Sequence, residues 1–325
     1  MKKQINVLII LLMLSGAIIS AQDYDEWKKT DIFSYPVKKL NTLEMNFSYG
    51  LGSLIIEPNS DSNMLEGSVT YNSHEIIPKV KYDIFESTGI FEIDVKDRDY
   101  KHKRKHRYED YDDDDFDDDD DDDDDDHHEW DFDLEDLRFG KLKNKYENDM
   151  VFSLPTSTEI DLVLDFGLGS ADLDLSGLQI RNFEIDCGLS EVDIVVVETN
   201  PIRCKTVNIS NGLGDLTADG LGNLRAKHLS FNVGLGSADI DLRGDEISDM
   251  QVDIEVGLGS MDLVLPEDAN IKIYVEDSFL SSVDIIGLVK KKKKEWISPN
   301  WKSSRPTIEV EVSVGMGSVD IRVDD

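Results

Sequence analysis

The chain has 325 residues, with 69 Asp and Glu against 34 Lys and Arg and a formal net charge of -35 at pH 7. A balance this acidic argues against nucleic acid and against anionic lipid surfaces, and it favours cations or basic partners. Two cysteines are too few for a disulfide framework to carry the fold, and beyond the N-terminal leader no apolar run approaches the roughly 20 residues that span a bilayer.

Met1 to Ala21 carries Lys2 and Lys3, an apolar stretch from Ile5 to Leu14, and small residues ending at Ser20-Ala21. This reads as a secretory signal peptide cleaved after Ala21, which places the mature chain in the periplasm, on the outer-membrane surface or outside the cell. Residues 22–96 read as N-terminal β rungs or a cap. Leu43, Met45, Phe47 and Tyr49 alternate, Gly50-Leu51-Gly52-Ser53 follows, and Leu54 and Ile56 then alternate in the opposite phase. Gly89 opens a weaker echo of the same pattern, GIFEIDV.

Residues 97–148 abandon that pattern. A basic run from Lys101 to Arg107 leads into nearly pure aspartate from Asp112 to Asp126, then His127-His128-Glu129 and a stretch with Trp130, Phe132, Leu134, Leu137 and Phe139 among acids. Like-charge blocks of this length repel themselves and cannot bury enough apolar surface to order, so the insert is expected to be disordered. Asp117, Asp118, Asp119 and Asp120 could gather divalent cations on hard carboxylate oxygens, with His127 and His128 as a transition-metal pair. The bland alternative is a solvated acidic loop neutralised by Lys101–Arg107, and no ligand spacing here resembles an EF-hand loop. No cofactor is expected beyond this weak Ca²⁺ binding.

From residue 149 to 325 one motif recurs: GLGSADLDL at Gly167, GLGSADIDL at Gly234, GLGSMDLVL at Gly257 and GMGSVDIRV at Gly315. Looser copies stand at Gly188, Gly212 and Phe279, with a period of about 22 residues until the last, longer step. A fixed period in that range marks a repeat architecture. Each copy is flanked by period-2 alternation whose phase flips at the glycines: Leu162, Leu164, Phe166 and Leu168 before, Ala171, Leu173 and Leu175 after. Side chains alternate across a strand, so the flip means that a residue has been spent on a bend. Gly50, Gly52, Gly167, Gly169, Gly212, Gly214, Gly234, Gly236, Gly257, Gly259, Gly315 and Gly317 are therefore expected at corners, supplying φ > 0, with the Leu or Met between each pair pointing inward. One rung cannot bury its own apolar face, whereas stacked rungs bury a continuous core. The reading is an all-β, single-stranded β-solenoid with few helices.

Stacking the rungs in register puts Cys204 beside Ile180 rather than Cys187, so the cysteines are expected to stay free, although export would permit pairing. It also aligns Asp172, Asp193, Asp239, Asp262, Asp284 and Asp320 in one column. A calcium ladder is the sharp reading of that column and a solvated outer face the bland one; the nine-residue tandem spacing of Ca²⁺-binding β-helix repeats is missing. Clustered carboxylates also serve polysaccharide-cleaving β-helices, but these recur rung after rung with none singled out, and no Ser-His-Asp or Cys-His grouping is visible. Lys290, Lys291, Lys292, Trp296 and Trp301 fill the lengthened last interval. They form a basic, aromatic loop that could grip an acidic polymer or a carbohydrate, dock on the chain's own aspartates, or be a solvated loop. The acids at Asp324 and Asp325 are expected to discourage end-to-end stacking of an open edge.

With these corners, the strand Val264-Leu265 running into Pro266-Glu267-Asp268-Ala269, and the closing Ile308–Ser318 segment, the chain resembles the toastrack-type adhesin-like proteins. These are bacterial DUF4097-like strand-repeat proteins that include the C-terminal domain of LiaF-like envelope-stress proteins. The resemblance covers roughly residues 150–325, with a weaker echo over 40–95. It implies a right-handed β-solenoid that works without catalysis as an adhesion, scaffolding or sensing module of the cell envelope, with an envelope protein or glycan as partner.

Overall fold

The computed structural model describes residues 28–73, 76–97, 148–276 and 281–324. The signal-peptide reading of residues 1–21 and the metal reading of Asp117–Asp120, His127 and His128 lie outside these residues. What is described is all β, with a single 3₁₀ turn at Leu221–Leu224.

Each rung is a strand, a glycine corner and a second strand. In β2 (Thr42–Pro58), β7 (Glu159–Asp174), β8 (Gln179–Val195) and β9 (Thr206–Asp219) the strand runs unbroken through the corner. Further rungs are split into β10 (His228–Val233) with β11 (Ser237–Asp241), β12 (Met250–Val256) with β13 (Ser260–Pro266), β14 (Asn270–Val275) with β15 (Ser282–Ile286), and β18 (Thr307–Val314) with β19 (Ser318–Asp324). The halves before the corner stack in parallel as one sheet, and those after it as a second. The expected phase flip is plain in β7, where Ile160, Leu162, Leu164 and Phe166 are buried and then Ala171 and Leu173. Such side chains from both sheets form one continuous core.

The rungs do not stack in chain order at either end. β2 lies between β7 and an outer rung made of β5 (Thr88–Asp97) and β6 (Asp149–Leu154), which comes later in sequence. At the far end β18 and β19 pair with β12 and β13 on one side and with β14 and β15 on the other, so the closing rung is interior. Asp324, expected at an open edge, instead pairs with Pro266 in this interior rung, past the end of β15, and Asp325 lies outside the described residues. Antiparallel strands cap the stack: β4 (Ile76–Phe85) on β5, β3 (Met64–Asn72) on β6, and β1 (Lys28–Pro36) on β3. At the other end the hairpin of β16 (Val289–Lys292) and β17 (Glu295–Ile297) caps β14.

This topology places the charged insert. Tyr49 pairs with Val95 and Ser53 with Asp149, so the described chain on either side of the insert ends beside Gly50-Leu51-Gly52 of the neighbouring rung. The insert leaves and rejoins the fold at a corner. Gly89, read as a corner echo, is instead a buried residue inside β5, packed towards Leu40 and Leu43.

On the side away from the corners, buried asparagines tie successive turns. Asn200 donates to Ile180 O (2.7 Å) and Asn223 to Val196 O (2.9 Å), giving buried backbone carbonyls the partners they need. Cys187 and Cys204 are buried and free. Burial pushes both thiols up, Cys204 to about 12, which starves them of reactive thiolate. Neither is expected to react appreciably with a disulfide reagent at pH 8 until denaturant is added, when both should; prompt labelling of the native chain would contradict the packing.

Candidate functional site

The corners stack into a continuous feature of the surface. Their backbones lie close because each rung hydrogen-bonds through the bend: Leu235 N–H donates to Gly212 O, Leu258 N–H to Gly234 O and Met316 N–H to Gly257 O, each at 2.8 Å. Ser260 and Ser318 N–H donate likewise to Gly236 O and Gly259 O at 3.1 Å. A Cβ at Gly188 would stand 2.5 Å from Gly167 O, and one at Gly169 or Gly214 would overlap the carbonyl oxygen of Gly52 or Ser190. Close approach is thus the general reason for glycine here. Of the corner glycines, the expected positive φ holds at Gly52, Gly169 (φ 143°) and Gly214 (φ 129°), but not at Gly50, Gly167, Gly212, Gly234, Gly236, Gly257, Gly259, Gly315 or Gly317.

The residue between the glycines does not point inward. Leu168, Leu189, Leu213, Leu235, Leu258 and Met316 are 38–57% exposed, stacked one per rung. The bend spends Gly167 to Ser170 between two inward side chains, Phe166 and Ala171, so its middle falls on the convex side. The result is an apolar ridge along the edge where the sheets meet; at about 4.8 Å per rung it spans roughly 24 Å. Contiguous exposed apolar surface of this kind marks interaction sites in soluble proteins.

Carboxylates flank the ridge. On the first sheet Asp165 and Asp186 pair side by side. On the second the aspartate column is real but differs from the expected order: Asp172 meets Asp193, Thr217 interrupts, and Asp239, Asp262, Asp320 and Asp284 follow. All six aspartates are exposed, and among the described residues no three His, Cys, Asp or Glu come together in a way that would hold a metal ion. The column lies along the outer face of the second sheet. Beside the ridge an open groove of about 980 Å³ is walled by Ser237, Ser260, Ser282 and Ser318 and by Asp215, whose carboxylate accepts from Ser237 Oγ.

Partial burial and the neighbouring Asp262 charge hold the Asp239 carboxyl above the usual carboxylate range, while Arg322 pulls it down. A raised folded-state pKa means that the folded chain holds the proton more tightly. The favourable contribution is complete below the ordinary carboxylate range and is lost as pH rises through the raised value. Asp239→Asn is therefore expected to raise the melting temperature slightly at pH 7, the effect being small because solvent screens this exposed carboxylate, and to leave it unchanged at pH 3. A lower melting temperature at pH 7 would show the carboxylate to be stabilising.

The lysine and tryptophan residues singled out in the sequence do not line this face. Lys290 Nζ sits 4.4 Å over the Trp296 ring and Lys292 Nζ bonds Glu295 at 2.9 Å, which braces the capping hairpin, while Trp301 remains exposed. Lys290, Lys291 and Lys292 thus stand on an edge strand, where lysine obstructs unwanted pairing. A smaller cavity of about 230 Å³ on the turn side gathers Asp245, Glu267, Asp268 and Asp324 near Arg243, but all four acids face solvent.

Residues 22–219 match the family model described as the N-terminal domain of toast_rack, DUF2154. That match begins earlier and stops sooner than the resemblance read over residues 150–325. No curated protein matches the chain. Among solved structures, a candidate cell adhesion protein from Clostridium sporogenes ATCC 15579 is 16% identical, with 91% of this chain and 100% of that one covered and a TM-score of 0.41. A candidate adhesin from Bacteroides fragilis NCTC 9343 is 13% identical over 90% of this chain and 97% of its own, with a TM-score of 0.28.

Proposed function

Because the chain belongs to the toast_rack family, with most of its length matched to that family's N-terminal domain, we propose that it is a non-catalytic, adhesin-like scaffold of the bacterial cell envelope. The observation that carries this reading is the corner ridge. Its apolar side chains repeat at rung spacing, and acids and serines flank them without converging on any single point. Catalysis needs a few unequal groups brought to one place, whereas attachment gains from a long surface that presents the same chemistry many times. A partner of this face would be an envelope protein or glycan that covers the ridge and meets the carboxylates with cations or hydroxyls.

Export through the leader at residues 1–21 belongs to the same proposal. The test is retention of the purified chain on isolated cell envelopes, together with an assay for new reducing ends in envelope polysaccharide. Saturable retention without chain cleavage is expected. Cleavage with turnover would overturn the non-catalytic reading, and failure to be retained would overturn the adhesin-like one.

A further inference from the structure

Four strands bound the two sheets of the rack. Three of them carry the usual obstacles to edge pairing: Lys28 and Lys29 on β1, Pro78 with Lys79 and Lys81 on β4, and the lysines of β16. The fourth, β15, reads Ser-Val-Asp-Ile-Ile and has neither lysine nor proline. The caps are unequal in the same sense. At the N-terminal end both sheets continue into antiparallel strands, whereas at the other end the β16–β17 hairpin extends only the first sheet. Among the described residues the second sheet simply stops at β15.

The core registers the missing strand. Val319 and Ile321, on the adjoining β19, are buried, but their partners Val283 and Ile285 are only partly covered. Ser282 N–H donates to Gly317 O at 3.2 Å. Backbone polar groups alternate sides along a strand, so Ser282, Asp284 and Ile286 bond towards β19 while Val283 and Ile285 turn N–H and C=O to the open edge. Asp284 stands on the outer face, at the end of the column that runs through Asp320, Asp262 and Asp239.

From this edge we propose that β15 is a docking site for an extended strand of another polypeptide, one that alternates apolar residues with Lys or Arg. The apolar residues would cover Val283 and Ile285, a cation would face Asp284, and the main chain would continue the ladder, as in other cases of strand addition. Charge argues against a second copy as the occupant. An antiparallel pair of β15 strands centred on Asp284 would set like charges opposite each other. Head-to-tail stacking of β15 on β1 would bring the lysines of β16 towards Lys79 and Lys81 of the next molecule. The proposal does not depend on the corner ridge.

The test is fluorescence anisotropy of a short labelled peptide of alternating Val and Lys, added to the full chain at physiological salt. Three comparisons decide it: the same peptide N-methylated along its backbone, the variant Asp284→Lys, and the variant Ile285→Pro, which removes an open-side donor but no bond to β19. Saturable binding is expected, weakened about ten-fold or more by each change, the equivalent of roughly one charge-assisted or two ordinary hydrogen bonds. Equal binding of the N-methylated peptide would overturn the proposal, because attraction to the acidic chain would then need no ladder. Indifference to Asp284→Lys would overturn it too. So would sedimentation showing a dimer that Asp284→Lys dissociates, since the occupant would then be a second copy.

Discussion

Gly214→Ala is expected to cost about 3 kcal/mol or more, and Gly50→Ala less than about 0.5 kcal/mol, though both glycines occupy GLG corners. Gly214 has φ 129°, and a Cβ there would overlap Ser190 O in the rung beneath. Holding an L side chain in such a conformation costs about 1–3 kcal/mol. Forcing the two corners apart adds an overpacking cost of similar size. Among the described residues no atom stands within 4 Å of the would-be Cβ of Gly50, and none of them forms a corner beside it in the outer rung, where pairing passes from Val95 to Asp149. Denaturant titration of the two variants measures the difference, and equal losses would mean that glycine serves chain flexibility rather than close stacking.

Phe152→Ala is expected to destabilise the chain by about 3–5 kcal/mol and to loosen the N-terminal end first. Phe152 is fully buried, with ring centroids 5.0 Å from Phe47, 5.4 Å from Phe91 and 6.4 Å from Phe33. Opposite it on β3 stands Gly67, where any side chain would run into the Phe152 ring. Phe91 lies on β5 before the insert and Phe152 on β6 after it, so their contact joins the two halves of the outer rung. Hydrogen exchange should lose protection in β5 and β6 well before β8 and β9. Uniform loss along the stack would show that the rack opens as one unit.

Much of this was legible in the residues. Alternation reversing at Phe166 and Ala171 is enough to place a corner, because side chains in a strand have only two directions. Repetition of that reversal implies stacking, and in-register stacking predicted the free cysteines and the aspartate column. The corner leucines misled because hydrophobicity assigned Leu168 to the core, whereas direction within a bend is set by geometry that composition does not carry. The rung order at the two ends was not readable either. Rungs as alike as β13 and β19 can pair with one another in any order, and nothing in a single rung names its neighbour. The same holds for the insert and the lysine hairpin. Both are visible as breaks in the repeat, but their places, a corner and a sheet edge, follow only from pairing.

The ridge is the proposed binding face. Its most direct test is a binding isotherm on isolated cell envelopes for the parent chain and for the triple variant Leu213→Ser, Leu235→Ser, Leu258→Ser. All three side chains are exposed, so the variant keeps both its charge and its fold. Half-exposed leucines that become covered contribute about 1 kcal/mol each, so affinity is expected to fall by at least about ten-fold. Unchanged affinity in a folded triple variant would contradict the ridge's role and leave the leucines as corner geometry alone.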